Sequence, residues 1–351
     1  MRIGILAYDG CLAAEIFLFT DLLLIANRVA RETGVAKEDP FRVSVMASSS
    51  PVAAAGGFPI GAQALHHDFD LLLVPGFEFA PSADLDGALS GRGGEAAFLR
   101  AAEARGTRIA SVCVGAFLLG EAGLLDGRRC TTSWLFASQL AQRYPHARVR
   151  GEALIVDDDR ITTTAAFGAA LDLATVIVRE RLGDDIARAT ARVALVAENR
   201  SSQAPYIVES MLPRRDGQFV EEVGRWLVDH LADPYDLPRL AAAFHVSTRT
   251  MLRRFGAEAG ESPLSFLRRA RVRAAKRLLE TTDRPLEEIV HLVGYRDTGT
   301  FRRLFADQVG TTAADYRRRF RAGGSAPAGG GDNAPKGGGP ATRPTGLPRT
   351  H

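Results

Sequence analysis

Two segments in the second half of the chain repeat each other at a spacing of 49–50 residues, and nothing else in the sequence constrains the fold as much. The first runs from Leu237-Pro238-Arg239-Leu240 through Val246-Ser247-Thr248-Arg249-Thr250-Met251 to Phe255 and Gly260. The second runs from Leu286-Glu287-Glu288-Ile289 through Gly294-Tyr295 and Phe301 to Phe305 and Gly310. Each reads as a short helix, a tight turn and a second helix opened by a capping residue, Ser247 in one copy and Asp297 or Thr298 in the other. Met251 with Phe255, and Phe301 with Phe305, stand at i, i+4 and bury one helix face. Arg249 and Arg253 then point outward in one copy, and Arg302 and Arg303 largely so in the other. Short helix, turn and exposed basic helix is the helix-turn-helix arrangement, whose second helix enters the major groove of DNA. The groove-facing candidates are Ser247, Thr248, Arg249, Leu252 and Arg253, then Thr298, Thr300, Arg302 and Arg303. Between the copies, Leu264–Thr281 has no helix breaker; its 18 residues make a helix about 27 Å long, close to the ~34 Å between successive major-groove faces. A plain helical bundle with a wet basic face is the duller alternative, and the duplication argues against it.

Charge supports this division. Residues 1–199 carry 19 Lys and Arg against 24 Asp and Glu, whereas 239–321 carry 18 against 9. An acidic half followed by a basic one suggests two tasks, the second involving a polyanion such as double-stranded DNA.

The first half alternates continuous apolar runs with helical stretches. Ile3–Tyr8, Phe41–Ala47, Leu71–Val74 and Arg108–Val112 read as strands; Ala13–Arg31, Glu95–Ala104 and Val114–Ala122 read as helices. Continuous rather than alternating apolar strands indicate a parallel sheet covered on both faces. The expected architecture is an α/β three-layer, flavodoxin-like domain over 1–199 with a mostly parallel sheet and its site at the carboxyl ends of the strands. A linker over 200–216 and an all-α double helix-turn-helix domain over 217–321 follow. The last 30 residues, 322–351, hold nine Gly and five Pro and read as a disordered tail.

The run Ser111-Val112-Cys113-Val114-Gly115 places a thiol where a strand turns into a helix. The helix N-terminus there favours a thiolate. The loop Val74-Pro75-Gly76-Phe77 can bring a backbone amide toward the same point, as an oxyanion hole would. Glu15 follows the first strand. The ligand-pocket candidates from these runs are Gly76, Phe77, Cys113 and Val114, with Glu15 beside them. Cys11, Cys113 and Cys130 form no CxxC pair, so a disulfide framework, a metal site and a cofactor are not expected, and a reducing cytoplasm is. No run approaches the roughly 20 apolar residues of a membrane helix, so no membrane partner is expected.

The residues of the repeat, with Gly260-Glu261-Ser262-Pro263, Arg271, Leu278-Leu279 and Tyr316-Arg317, closely resemble the AraC/XylS-type DNA-binding domain over about 217–320. Ala313 stands where that family has proline, which should loosen the turn without removing the helix, and Gly299 stands where relatives carry a base-contacting side chain. The stretch Ile109–Phe117, Ala122–Gly127 and Thr131-Thr132-Ser133-Trp134 resembles the PfpI/ThiJ-type, amidotransferase-like domain of GlxA-like transcriptional regulators. In that superfamily a histidine follows the paired threonines and acts as base; here Ser133 stands there, and serine accepts no proton at neutral pH. The resemblance thereby adds Ser133 to the ligand-pocket candidates and matches Glu15 to the acidic residue that lies beside the thiol in catalytic relatives. The resemblance thus implies a regulator rather than an enzyme. It further implies a homodimer and a small effector of the amine or amino-acid-derived class. The rival readings are a cysteine-dependent amidase or peptidase, or a thiol redox sensor, each with a DNA-binding domain.

Overall fold

The computed structural model describes residues 1–80, 84–197, 200–208, 211 and 218–321. The expected disorder of 322–351 lies outside the described residues, as do 209–210 and 212–216 of the expected linker.

Seven strands form the main sheet: β1 Arg2–Leu6, β2 Arg42–Ala47, β3 Gln63–Ala64, β4 Leu71–Val74, β5 Arg108–Ser111, β6 Ile155–Asp158 and β7 Ile161–Thr164. Their spatial order is β6-β7-β5-β4-β1-β2-β3, and every pairing is parallel except β6 with β7. Each residue of β4 is buried, as an apolar strand covered on both faces must be. The helices of this half are α1 Ala13–Glu32, α2 Leu85–Leu89, α3 Gly93–Ala104, α4 Gly115–Glu121, α5 Ala137–Arg143, α6 Ala169–Leu182 and α7 Asp184–Val193. One layer is α1 packed with α6 and α7, and a second joins α3 to α4. The seat of α4 depends on Gly115: a Cβ there would lie 2.7 Å from the carbonyl oxygens of Val74 and Pro75, so no side chain fits and α4 starts against the end of β4.

The rest is helical: α8 Gln218–Asp229, α9 Leu237–Ala243, α10 Thr248–Ala259, α11 Pro263–Thr281, α12 Leu286–Leu292, α13 Thr298–Val309 and α14 Ala313–Phe320. Two separate apolar clusters form. Phe219, Val223, Leu227, Leu240, Met251 and Phe255 build one with Leu267 of α11. Val272, Leu279, Ile289, Val293, Phe301, Phe305 and Tyr316 build the other. The long helix α11 therefore serves both copies, its first half in one core and its second half in the next. Arg271, buried at the middle of α11, donates from Nε to the carbonyl of Leu231 at 2.9 Å and lies over the Tyr295 ring at 5.1 Å. The cap of α13 is Asp297 and not Thr298, its carboxylate accepting from the Thr300 amide. With Ala313 in place of proline, α14 still forms, capped by Thr312.

Candidate functional site

Glu15, Gly76, Cys113 and Phe167 meet because β1, β4, β5 and β7 are neighbours that end on the same edge of a parallel sheet. Cys113 follows β5 with φ 54°, a left-handed conformation that costs a non-glycine residue roughly 1–3 kcal/mol. Hydrogen bonds on both sides hold it there: its amide donates to Ala165 O at 2.8 Å, and its carbonyl accepts from Thr132 Oγ1 at 2.7 Å. Gly76 allows the close approach of β4, since a Cβ there would stand 3.2 Å from Cys113 Cβ and 3.3 Å from Glu15 Oε2.

Two expectations change here. The first is the thiolate. Burial pushes the Cys113 thiol up to about 12, the Glu15 carboxylate adds to that rise, and the amides of Val114 and Phe167 oppose it without prevailing. Desolvation thus outweighs the helix N-terminus, and the group is a thiol at neutral pH. The second is the oxyanion amide. The Gly76 N–H is already engaged, donating to Glu15 Oε2 at 2.6 Å. Burial raises Glu15 to about 8 against that same hydrogen bond, so its carboxyl carries a proton at neutral pH. Its Oε1 is buried with no hydrogen-bond partner.

The other pocket candidates are all buried. Phe77 lies under the Arg92 guanidinium at 5.0 Å, Val114 opens the turn into α4, and the Ser133 carbonyl accepts from the Phe136 amide at 2.9 Å. His66 and His67 precede β4 at its amino end, opposite the elbow, and His67 stacks on Phe98. Cys11 and Cys130 are fully buried and reduced.

Both outward helices are exposed where the repeat requires. On α10, Ser247 caps by accepting from the Thr250 amide, while Thr248, Arg249, Leu252 and Arg253 face solvent, Leu252 at 43% exposure. On α13, Thr300, Arg302 and Arg303 are exposed and Thr298 is partly so. Arg302 reaches Glu287 at 3.4 Å and Arg303 reaches Thr300 Oγ1 at 3.4 Å.

A residue that the sequence reading passed over is Gln203. It is buried, and its carboxamide bonds to the backbone on both sides of Ser133. A lone glutamine in a polar segment carries no periodicity or spacing that would reveal this. The ion pair of the half-buried Arg200 with the nearly buried Asp172 was equally silent.

An α/β sheet with a cysteine elbow followed by a doubled helix-turn-helix defines a two-part class of protein, and comparison with known families agrees. The DJ-1/PfpI family model matches residues 35–180, and a helix-turn-helix domain model matches 240–319. The HTH-type transcriptional regulator GlxA of Rhizobium meliloti is 31% identical over 231 residues, covering 63% of this chain and 68% of GlxA. CdhR of Pseudomonas aeruginosa, another HTH-type transcriptional regulator, is 26% identical over 331 residues, covering 89% of this chain and 88% of CdhR. GbdR of the same species is 25% identical over 223 residues, a match that takes in 63% of this chain and 60% of GbdR's own length. The chain belongs to this family of transcriptional regulators, in which a DJ-1/PfpI domain precedes a helix-turn-helix domain. Among the described residues, no helix is long and apolar enough to cross a membrane.

Proposed function

We propose that this protein is a cytoplasmic, homodimeric transcriptional regulator that binds double-stranded DNA through α10 and α13 and senses a small effector beside Cys113. The observation that carries the reading is the pair of exposed basic helices fixed on one long helix. In this reading 1–199 senses and 217–321 binds DNA. Arg249 and Arg253 are the principal base readers, since bidentate arginine is the commonest specific contact to guanine in the major groove. The effector site is formed by Glu15, Gly76, Phe77, Cys113, Val114 and Ser133.

Glu15 supports an amine-bearing effector. An ammonium beside its unpartnered Oε1 would favour the ionised carboxylate, so such an effector should release a proton on binding near neutral pH. Hydrolysis is not part of the reading: Ser133 cannot act as base, the Cys113 thiol stays protonated, and the Gly76 amide is engaged. Anisotropy titrations of labelled duplexes test the DNA assignment. Affinity should fall steeply with salt and be higher for one operator than for scrambled DNA. Salt-insensitive or absent binding would refute it. A thermal-shift screen of amines and amino-acid derivatives on the full chain tests the sensor; a ligand at 100 times its Kd adds about 2.7 kcal/mol. Turnover of amide or peptide substrates that is lost in Cys113→Ala would overturn the non-enzymatic reading.

A further inference from the structure

The segment expected to be a linker starts as a tightly held strap. Arg200 pairs with the nearly buried Asp172 of α6, and its Nη2 also donates to Gly168 O at 3.0 Å. Ser202 Oγ and the Gln203 amide both donate to Glu152 O, at 2.7 and 3.0 Å. The Gln203 side chain is then fully engaged. Its Nε2 is directed at the carbonyls of Thr132 (2.8 Å), Gly151 (2.9 Å) and Ala153 (3.2 Å), and its Oε1 accepts from the Trp134 amide at 2.9 Å. Only one orientation of the carboxamide satisfies these partners, because a flipped amide would set its oxygen against three carbonyls. Gln203 therefore grips the residues immediately before and after Ser133, and Thr132 in turn holds the carbonyl of Cys113.

The same few residues grip the second helix-turn-helix copy. Gly310, which ends α13, sits so close to the strap that a Cβ there would be 3.2 Å from the Cβ of Ser202 and 4.0 Å from that of Ala204. The Tyr206 ring meets Phe320 of α14 edge-on at 5.3 Å. Lys276, in the half of α11 that serves the second copy, donates to Ile207 O at 2.9 Å. From Gln203 to Ile207 the chain spans four peptide units, so little slack separates the two grips.

We propose that residues 200–207 are a transmission strap, with Gln203 as its latch. A shift of the 132–134 backbone on occupation of the site beside Ser133 displaces the latch and changes how α13 and α14 are held, while α9 and α10 are left alone. This rests on the regulator reading for its purpose, but not for its physical content. Gln203 is a positioning residue: it acts through the backbone of the Ser133 loop.

Hydrogen exchange on the full chain, without effector or DNA, tests the coupling. In Gln203→Leu, amides of 131–134 and of 298–320 should both exchange at least about fivefold faster, the equivalent of one lost hydrogen bond, while 248–259 stays unchanged. Acceleration confined to 131–134 would make Gln203 a local clamp and overturn the proposal. So would equal acceleration in all three regions, which is general destabilisation. Tyr206→Ala removes the ring that meets Phe320 and the hydroxyl that bonds Arg200. It should accelerate 298–320 and, because coupling is reciprocal, 131–134 as well, with 248–259 unchanged; an unaffected 298–320 again overturns the proposal. DNA affinity is measured separately, so a protein that binds no DNA would remove the regulator reading and leave the exchange outcome to stand by itself.

Discussion

The two helix-turn-helix copies agree in their interiors and differ at their surfaces. Met251 and Phe255 of the first are matched by Phe301 and Phe305 of the second, and Gly260 by Gly310, both with left-handed φ near 70°. On the surface, the side chains of Arg249 and Arg253 make no hydrogen bond or ion pair among the described residues, whereas those of Arg302 and Arg303 each reach a neighbour. The first copy opens its outward helix with serine, the second with aspartate. The turn of the first tolerates His245 at φ 53°. That of the second needs Gly294, where a Cβ would lie 2.7 Å from Leu231 O. Packing keeps a duplicated core alike because a lost methylene is costly anywhere in it. Surface positions carry no such penalty. On the proposed reading the first copy therefore reads bases, while the second is partly neutralised and is held by residues 202–207.

The largest expected effect tests whether the two cores are independent. Phe255→Ala and Phe305→Ala should each cost about 3–5 kcal/mol. Because the rings belong to separate clusters, each loss should be local. Hydrogen exchange should show α9 and α10 loosened by the first substitution, and α12 to α14 by the second. Equal loosening of both copies by either one would mean a single core.

A smaller effect, of the order of a few kcal/mol, belongs to the α/β half and should leave both copies untouched. Glu15 has its pKa raised from 4.5 to about 8, so the folded state binds its proton more tightly than the unfolded state does. Stability should therefore decline as pH rises from about 4.5 toward 8, and Glu15→Gln should remove that decline. Urea unfolding followed by signals from each half, at pH 5 and pH 8, measures it. An unchanged pH dependence in Glu15→Gln would place the titration elsewhere.

Next comes the difference in DNA reading. Arg253→Ala should weaken specific binding by about 1–3 kcal/mol, and Arg303→Ala by an amount at or below the lower end of that range. Anisotropy with the operator and a scrambled duplex separates the base-specific part from the phosphate part. Equal losses would erase the functional contrast between the copies; wild-type binding by both variants would remove the groove assignment altogether.

Periodicity is what made most of this legible. Leu71–Val74 announces a buried parallel strand because no polar residue interrupts it, and the i, i+4 pairs of the repeat announce which faces of α10 and α13 are inside. The elbow was visible through Cys113 and Gly115, since a thiol at a strand-to-helix turn needs a nearby glycine for close packing. Its protonation was not visible: the helix N-terminus is a local feature that sequence shows, while the burial that outweighs it arises from segments far apart in sequence, those of Glu15, Gly76, Thr132 and Ala165. Gln203 was hidden for the same reason, as its partners at 132, 134, 151 and 153 are joined only in three dimensions.

The smallest expected effect separates the copies by their caps. Ser247→Ala should cost about 1 kcal/mol, because the Thr250 amide loses its acceptor, and the cost should not depend on pH, since a hydroxyl does not titrate in the acid range. Asp297 behaves differently. The side chain and amide of Thr300 hold its carboxyl below the ordinary 3.8, so its capping contribution is fully present above 3.8 and is lost as pH falls through the lowered value. Protection of the Thr300 amide should therefore drop on acidification while that of Thr250 holds. Asp315, lowered by Thr312 and Arg318, adds to the same trend at the start of α14. Asp297→Asn, which keeps a capping oxygen without the charge, should flatten the acid response at Thr300 and leave Thr250 as it was. A parallel decline of both amides with acid would show that the two caps are interchangeable, and that the divergence between the copies stops short of their helix ends.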